Sequence, residues 1–236
     1  MKMLQRLGLS VLCCLLLPLA GQAAPPTKAP LVIAHVAATS GRFSLHAEAD
    51  RRGADLAIEE FNARGGVLGR EVVLVSRDST LDPQRAAQVA EELIGKTRIA
   101  FMVGAISSGV AASMSAVCQK YGVIFINTNS SAPSESVENA HRTKFVFDAH
   151  GANINRALIR YALGKRTGKR VVLLTEDNEF GRSNATAMRP YITESGGTVV
   201  GEVMTPDSLP DPAGVLAPQR LFTWTAQAAI PAAGSQ

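Results

Sequence analysis

Two serines near the middle of the chain have the residue type and the position needed to bind a small anion. Ser107 and Ser108 lie between an apolar run at residues 99–103, which predicts a strand, and a helical pattern at residues 109–121. The first turn of a helix exposes backbone N–H groups that lack intrahelical partners and attract an anion. Together with a serine hydroxyl, these groups can hold a carboxylate without lysine or arginine. The alternative interpretation is that one of the serines only caps the helix.

A second polar segment follows the next apolar run and belongs to the same supersecondary unit. Residues 123–126 form that run, and the segment at residues 127–131 reads Asn-Thr-Asn-Ser-Ser. The order strand, helix, strand predicts a βαβ unit with two parallel strands. Ligands of open parallel sheets bind outside the carboxyl ends of the strands. We therefore expect both polar segments to face one crevice.

Strands and helices alternate through the first half of the chain, which is typical of the α/β class. Four strands are predicted, at residues 31–37, 71–77, 99–103 and 123–126. Helical connections between them imply right-handed crossovers and hence a Rossmann-like, doubly wound parallel sheet. The helix predicted at residues 47–64 is expected to bury a stripe of small and apolar side chains, which consists of Ala54, Ala57, Ile58 and Phe61.

A second alternation predicts a second α/β lobe that is incomplete. Its helices and strands are expected at residues 153–165, 170–174, 183–194 and 198–204. The acidic run at residues 176–179 is interpreted as a solvated loop. Residues 205–236 contain five prolines and no periodic pattern, which predicts an irregular, disordered tail. The predicted organisation is a first lobe at residues 24–147, a partial second lobe at residues 148–204, and this tail.

The first 23 residues have the pattern of a secretory signal peptide. Lys2 and Arg6 precede a leucine-rich run at residues 7–20, and small residues lead up to a cleavage site after Ala23. The apolar run is too short to span a bilayer stably. We therefore expect an exported protein of the periplasm that carries no lipid anchor.

Removal of this segment changes the cysteine content and the charge of the chain. Cys13 and Cys14 leave with it, so only Cys118 remains and no intrachain disulfide is possible. Loss of Lys2 and Arg6 lowers the formal net charge from +4 to +2. A charge this small gives no basis for nucleic-acid binding.

Motifs of the common enzyme classes are missing from the sequence. Gly104 and Gly109 have the glycine spacing of a phosphate-binding loop, but Val110 and Ala111 follow where lysine and serine or threonine are needed. No G-x-S-x-G nucleophile motif occurs, and the four histidines lack the spacing of zinc ligands. The sequence therefore predicts neither an enzyme nor a metal or cofactor site.

Several stretches within residues 31–205 resemble one protein family. They read SGRFSLHAEADRRGADLAIEEFNARGGVLGREVVLVSRD, DPQRAAQVAEELI, VGAISSGVAASMSAV, YGVIFINTNSSAP and EDNEFGRS, and the GGVLGR turn with the downstream Asp-Pro helix start is the most specific. The chain resembles the leucine/isoleucine/valine-binding proteins, which are type I periplasmic solute-binding proteins of ABC importers. The resemblance implies two α/β lobes that close over a small ligand about a hinge.

The resemblance also implies a ligand site with residues from both lobes, which are His46, Ile106, Ser107, Ser108, Asn129, Ser131 and Phe180. Ser108 matches the serine that holds the ligand carboxylate, and Phe180 matches an aromatic side chain that covers the ligand. His46 stands where the leucine binders commonly have an aromatic residue. With Asn129, it makes the pocket more polar than an aliphatic ligand needs. The alternatives are that His46 faces solvent and that Phe180 belongs to the core.

The function that the resemblance implies is substrate binding for an ABC importer of branched-chain amino acids or related small amino acids and amides. The partners would be that ligand and the permease complex in the inner membrane. An exported sensor or receptor subunit of the same fold is the alternative, and an enzyme is a weaker one. Family members continue beyond the point that matches Met204 and supply an acidic residue for the ligand ammonium group from there. We therefore expect this sequence to be a truncated copy that lacks that residue.

The signal-peptide interpretation predicts the amino terminus of the exported protein. Protein recovered from the periplasmic fraction should begin at Ala24 and carry no lipid, because cleavage follows the small residues that end at Ala23. Intact-mass measurement and amino-terminal sequencing would check this expectation. An exported protein that retains residues 1–23 would contradict it.

Overall fold

The computed structural model describes residues 28–164 and 169–206, which divide into two compact units. The predicted signal peptide and residues 207–236 of the predicted tail lie outside the described residues. The first unit contains the described residues through Ile106 together with Val110–Asn129 and His141–Phe147. The second contains Ser107–Gly109, Ser130–Ala140 and the described residues from Asp148 onward.

The first unit is built on a five-stranded parallel sheet with the strand order β2-β1-β3-β4-β5. The strands are β1 Leu31–Ala37, β2 Val72–Asp78, β3 Phe101–Gly104, β4 Ile124–Asn127 and β5 Lys144–Val146. The helices are α1 Ser44–Ala63, α2 Pro83–Thr97 and α3 Ser108–Tyr121. The predicted doubly wound parallel sheet is confirmed. The structure adds β5 as a fifth parallel strand, paired with β4.

The main hydrophobic core lies between one face of this sheet and helices α2 and α3. Met102 and Phe125 on neighbouring strands are completely buried, and so are Met114 and Cys118 of α3. The Cys118 Sγ–H donates to Met102 Sδ at 3.8 Å. Burial raises the pKa of the Cys118 thiol to about 12, so this cysteine packs as a small apolar side chain.

Helix α1 packs differently from the sequence prediction. Its expected buried stripe is wrong at Ala57 and Phe61, which are exposed, and Ala47 is the residue of this helix that becomes buried. The reason is that α1 contacts the sheet mainly through β2 and leaves much of its surface in solvent. Asn62 fixes this contact, because its Nδ2 donates to the Val72 carbonyl at 2.9 Å and its Oδ1 accepts from the Val72 N–H at 2.8 Å.

The second unit contains two parallel strands and two helices around a smaller core. They are α4 Gly151–Gly164, β6 Arg170–Glu176, α5 Glu179–Glu194 and β7 Thr198–Thr205. The core consists of Ile159, Leu163, Leu173, Ala185 and Ile192. Among the described residues, no helix of either unit combines the length and apolarity that a membrane crossing requires.

Two boundaries in the second unit correct the sequence predictions. The predicted solvated loop at residues 176–179 is shorter than expected, because Glu176 ends β6 and the helix begins at Glu179. The connection consists of Asp177, which is exposed, and Asn178, which caps α5 by accepting the Gly181 N–H at 2.8 Å. The predicted tail does not begin at Thr205, because this residue is buried as the last residue of β7. Its hydroxyl donates to the Thr175 carbonyl at 3.3 Å.

The end of β3 offers a direct test of the fold of the first unit. Gly104 has a φ of +132°, and a Cβ at this position would lie 2.2 Å from the Val36 carbonyl oxygen. We expect Gly104→Ala to lower the free energy of unfolding by roughly 1–3 kcal/mol or more. Gly95→Ala in α2 is the matched control, since its added methyl group would meet no atom within 4 Å other than those of its two neighbours and of the backbone of its own helix.

The two alanine variants should move stability in opposite directions. Gly95→Ala should raise the free energy of unfolding by up to about 1 kcal/mol, because alanine favours a helix more than glycine does. Urea unfolding followed by circular dichroism would measure both effects. Equal stability of Gly104→Ala and the unmodified protein would contradict the close approach of β3 to β1.

Candidate functional site

The loop after β3 starts in a sparsely populated backbone conformation. Ala105 has a φ of +72°, its N–H donates to the Val36 carbonyl at 3.1 Å, and its side chain is buried. A positive φ is uncommon for a residue with a side chain and is held only by surrounding contacts. The sharp turn brings the chain from β3 to Ile106, which is half-buried in the first unit.

Ser108 is the first residue of α3 and is joined to the loop that follows β4. The Ser130 hydroxyl donates to Ser108 Oγ at 3.0 Å, and both side chains are buried, with Ser108 2% exposed. Ser107 and Ser131, the neighbours of this pair, are half-buried. Because Ser108 Oγ accepts this bond, its own hydrogen remains available as a donor. We call Ser108 and Ser130 the serine pair.

The sequence analysis identified Ser108 and Ser131 but missed Ser130. In the sequence, Ser130 is marked only by its position in the run at residues 127–131. Every residue of this run is polar, so the sequence gives no reason to choose one hydroxyl over another. The chain is also tightly packed just after the pair. A Cβ on Gly151 would lie 2.1 Å from the Ser131 carbonyl oxygen, so only glycine fits at the start of α4.

Asn129 of the first unit is hydrogen-bonded to a carboxylate that the sequence analysis missed. Its Nδ2 donates to Asp50 Oδ2 at 2.5 Å, and the Thr128 hydroxyl donates to the same oxygen at 3.5 Å. Asp50 lies on α1, one helical turn after His46. A spacing of four residues places the two side chains on the same side of the helix. This spacing can be read from the sequence and could have drawn attention to Asp50.

His46 is exposed at the surface of the first unit. Its ring packs edge-on against Phe43, with the ring centroids 5.9 Å apart. This position agrees with the alternative interpretation of a solvent-facing histidine. The structure of the first unit thus brings Asn129 together with Asp50 rather than with His46.

Asp78 holds the loop between β1 and α1 at the carboxyl end of the sheet. Its carboxylate accepts the Ser40 hydroxyl at 2.6 Å, the Thr39 N–H at 3.0 Å and the Thr80 N–H at 2.9 Å. Partial burial raises the pKa of Asp78, but these hydrogen bonds outweigh that effect and hold its pKa below the usual value. The ionised carboxylate therefore orders the loop that leads into α1.

Phe180 lies in the first turn of α5 and is 43% exposed, so the alternative that it belongs to the core is wrong. It lines a groove of about 290 Å³ in the second unit. Leu173, Leu174 and Met188 form the apolar part of this groove, and Asn155 and Asn184 contribute amides. The Asn155 Nδ2 donates to Asn184 Oδ1 at 2.6 Å.

The first turn of α5 is also tied to the segment that follows the serine pair. Ser134 donates its N–H to Ser183 Oγ at 2.8 Å and its hydroxyl to Glu179 Oε1 at 2.8 Å. Ser134 is buried within the 3-10 turn Pro133–Ser136. These two hydrogen bonds hold the helix turn that carries Phe180.

The most enzyme-like set of side chains is Ser115, His141 and Thr143 in the first unit. Ser115 Oγ lies 2.8 Å from His141 Nε2, and His141 Nδ1 lies 3.1 Å from Thr143 Oγ1. Burial and the charge of Lys144 lower the pKa of His141. The Ser115 hydroxyl is buried in the middle of α3, where a substrate has no access to it. Its role is therefore to fasten the segment before β5 to α3.

Groups of three or more potential metal ligands are also absent from the described ranges 28–164 and 169–206. The site residues thus offer hydrogen-bonding groups: serine hydroxyls in the second unit, and an amide with a carboxylate in the first. Such groups can form hydrogen bonds to a polar small molecule.

Comparison with known proteins identifies the family. A family model described as periplasmic binding protein matches residues 30–219. The chain belongs to the periplasmic binding protein family. The Leu/Ile/Val-binding protein BraC3 of Rhizobium johnstonii is 29% identical over 187 residues, which cover 78% of this chain and 50% of that protein. The Leu/Ile/Val/Thr-binding protein of Salmonella typhimurium is 26% identical over 170 residues, which cover 71% of this chain and 46% of that protein.

Solved structures agree with this assignment. A periplasmic binding protein from Burkholderia mallei superimposes with a TM-score of 0.71 at 25% identity, over 81% of this chain and 51% of its own. LivJ of Streptococcus pneumoniae, solved with isoleucine, has a TM-score of 0.67 at 23% identity, over 81% of this chain and 54% of its own. An ABC-transporter solute-binding protein of Rhodopseudomonas palustris was solved with 3,4-dihydroxybenzoic acid. It has a TM-score of 0.70 at 18% identity, over 82% of this chain and 52% of its own.

These comparisons confirm the predicted family and the predicted type I fold. The chain spans about half the length of the curated relatives it matches. The predicted ligand-contacting residues divide between the units. His46, Ile106 and Asn129 lie in the first, and Ser107, Ser108, Ser131 and Phe180 lie in the second.

A buried histidine of this periplasmic binding protein makes its stability depend on pH. His35 in β1 is 1% exposed, its Nδ1 lies 3.0 Å from Ser76 Oγ, and its Nε2 has no hydrogen-bond partner among the described residues. Burial lowers the pKa of His35 below its ordinary 6.5; Asp50 and Asp55 oppose this shift, and Arg51 adds to it.

The unfolded chain therefore binds a proton more readily than the folded chain does. The stability that this histidine contributes is complete above pH 6.5 and is lost as the pH falls through the folded-state value. His35→Gln should reduce the loss of unfolding free energy between about pH 8 and about pH 5. The control His46→Gln replaces an exposed ring and should leave that loss unchanged. Urea titrations across this range would measure it, and identical pH profiles for His35→Gln and the unmodified protein would contradict the expectation.

Proposed function

We propose that the chain is the extracytoplasmic substrate-binding component of an ABC importer and that it binds a small solute bearing a carboxylate. The serine pair at the start of α3 carries this proposal, because it holds the Ser108 hydroxyl beside the N-terminal backbone N–H groups of a 14-residue helix. A helix N-terminus favours an anion, and a hydroxyl adds a directed donor. A carboxylate fits this set of donors.

The relatives support a proposal for the class of solute. Two of them are named for binding leucine, isoleucine and valine, and one solved neighbour contains isoleucine. We propose branched-chain amino acids, or related small amino acids and amides, as the ligands. Aromatic acids are a second class to test, because a further neighbour of the same fold was solved with 3,4-dihydroxybenzoic acid.

The same proposal includes the partner and the compartment. A binding protein of an ABC importer delivers its solute to a permease complex in the inner membrane, and it does so from the periplasm. An exported sensor that uses the same fold is the competing function. A chain that binds solute but does not support uptake in cells that contain the permease would favour the sensor.

Replacement of Ser108 tests the carboxylate site. A hydrogen bond to a charged group contributes about 1.5–3 kcal/mol, so Ser108→Ala should weaken carboxylate binding at least several-fold. Isothermal titration calorimetry with leucine, isoleucine, valine and 3,4-dihydroxybenzoate would measure the change, after a thermal-shift screen of amino acids, amides and aromatic acids.

The matched control is Ser113→Ala on the same helix. Its hydroxyl donates to the Val110 carbonyl at 3.0 Å within α3 and not to the serine pair. Affinity should therefore stay within about twofold of the unmodified protein. Unchanged affinity in Ser108→Ala would leave Ser108 as a residue of the helix start only.

A further inference from the structure

Strand β6 of the second unit has one buried face and one apolar face in solvent. Successive side chains of a strand point to opposite faces of the sheet. Leu173 belongs to the core that the strand shares with α4 and α5. Its neighbours Val172 and Leu174, on the opposite face, are 41% and 50% exposed. The open face of β6 thus holds two apolar side chains that nothing in the described part of the second unit buries.

The backbone groups of the same two residues lie on an unpaired edge. Among the described residues, β6 is hydrogen-bonded to β7 and to no other strand. The Asp177 N–H donates to the Thr205 carbonyl at 2.8 Å and therefore points toward β7. Adjacent residues of a strand direct their backbone groups to opposite edges. Val172 and Leu174 lie an odd number of residues before Asp177, so their N–H and C=O groups point away from β7. We call Val172 and Leu174 the edge pair.

The charges of β6 are complementary to those of a second, antiparallel β6. The strand reads Arg-Val-Val-Leu-Leu-Thr-Glu, and Arg170 and Glu176 are exposed at its two ends. Each lies three residues from Leu173 and shares the face of the edge pair. The Glu176 carboxylate accepts from Asn178 Nδ2 at 3.0 Å, a neutral donor that leaves its charge in place. Antiparallel alignment about Leu173 therefore sets Arg170 opposite Glu176 of the other copy at both ends.

We propose that the open edge of β6 is a self-association surface, to which a second copy of this chain adds its own β6 in the antiparallel direction. In this register Val172 lies opposite Leu174 of the other copy, and each such pair exchanges two backbone hydrogen bonds. The contact is two-fold symmetric and uses each β6 once, so it closes as a dimer. It converts two marginal two-stranded sheets into one four-stranded sheet. This inference does not rest on the proposed function.

The charge pattern favours a second copy over the segment of this chain that follows β7. An exposed strand edge is a template for any added strand. Residues 207–236 contain four prolines, which cannot donate backbone hydrogen bonds to a ladder. The longest stretch without proline that contains aromatic residues, 219–230, has Arg220 as its one charged residue. It offers no acidic side chain to oppose Arg170, whereas a second β6 opposes both charges.

Charge reversal at the two ends of β6 tests the register. Sedimentation velocity of the exported protein from about 1 to about 200 μM should show a reversible monomer–dimer equilibrium. Arg170→Glu opposes like charges at both ends of the contact, and so does Glu176→Arg. Each variant should weaken the dimer at least about fivefold. A mixture of the two variants again opposes unlike charges, so it should form a heterodimer with about the affinity of the unmodified dimer.

A lysine in the edge pair tests the apolar part of the contact. Leu174→Lys should weaken the dimer at least about tenfold, because charged side chains on an edge strand oppose pairing. The matched control is Leu56→Lys on α1 of the first unit, where the side chain is 60% exposed. It should change the dissociation constant by less than about twofold. Circular dichroism and thermal unfolding would establish that each variant is folded.

Weakening by each single charge reversal, with recovery in the mixture, is the expected result. A dimer that withstands both charge reversals and Leu174→Lys would overturn the proposal, because association would then use another surface. A protein that stays monomeric at every concentration would also overturn it. Hydrogen exchange would then identify the occupant: protected amides at Val172 and Leu174 would assign the edge to another segment of the same chain, and rapid exchange would show that the edge stays open.

Discussion

The close approach of β3 to β1 is the constraint on which the rest of the first unit depends. Gly104 packs against the Val36 carbonyl with no room for a Cβ, and Ala105 donates its N–H to the same carbonyl from a positive-φ conformation. These contacts end β3 at a defined residue and turn the chain sharply before Ile106. Strain of this kind is kept only where neighbouring atoms hold it, and it often marks a functional loop.

The polar groups near the carboxyl ends of the strands are held by one another, and this determines what they can offer to a solute. In the second unit, Ser108 accepts a hydrogen bond from Ser130 and keeps its own hydrogen as a donor. In the first unit, Asp50 takes the amide donors of Asn129 and leaves acceptors. The donors at the serine pair are suited to a carboxylate.

The helices of the first unit are held against the sheet in different ways. Helices α2 and α3 contribute Val89, Leu93, Met114 and Cys118 to a shared core, as expected for an apolar stripe that faces a sheet. Helix α1 buries little apolar surface and is held to β2 by the two Asn62 hydrogen bonds. Because α1 is not deeply packed, many of its polar side chains remain exposed to solvent.

The sequence by itself determined the class of fold, the four strands of the first sheet before β5, the content of the second unit and the family. These follow from local periods and from turn residues such as the Asp82-Pro83 helix start, where the Asp82 side chain accepts the Arg85 N–H at 2.7 Å. Local patterns also identified the polar segments that contain Ser108 and Asn129. In each case the information lies within a few residues of the chain.

Only the tertiary structure decided which side chains meet across the chain. Asp50 and Asn129 are 79 residues apart in sequence, and Ser108 and Ser130 are 22 apart, so no local period connects either pair. The sequence also did not show which side of α1 is exposed. A helical pattern of apolar residues shows which residues share a face, but it does not show whether a neighbouring element covers that face. Hydrogen bonds between loops depend on the register of the strands beneath them, and that register is fixed by the packing of the whole sheet.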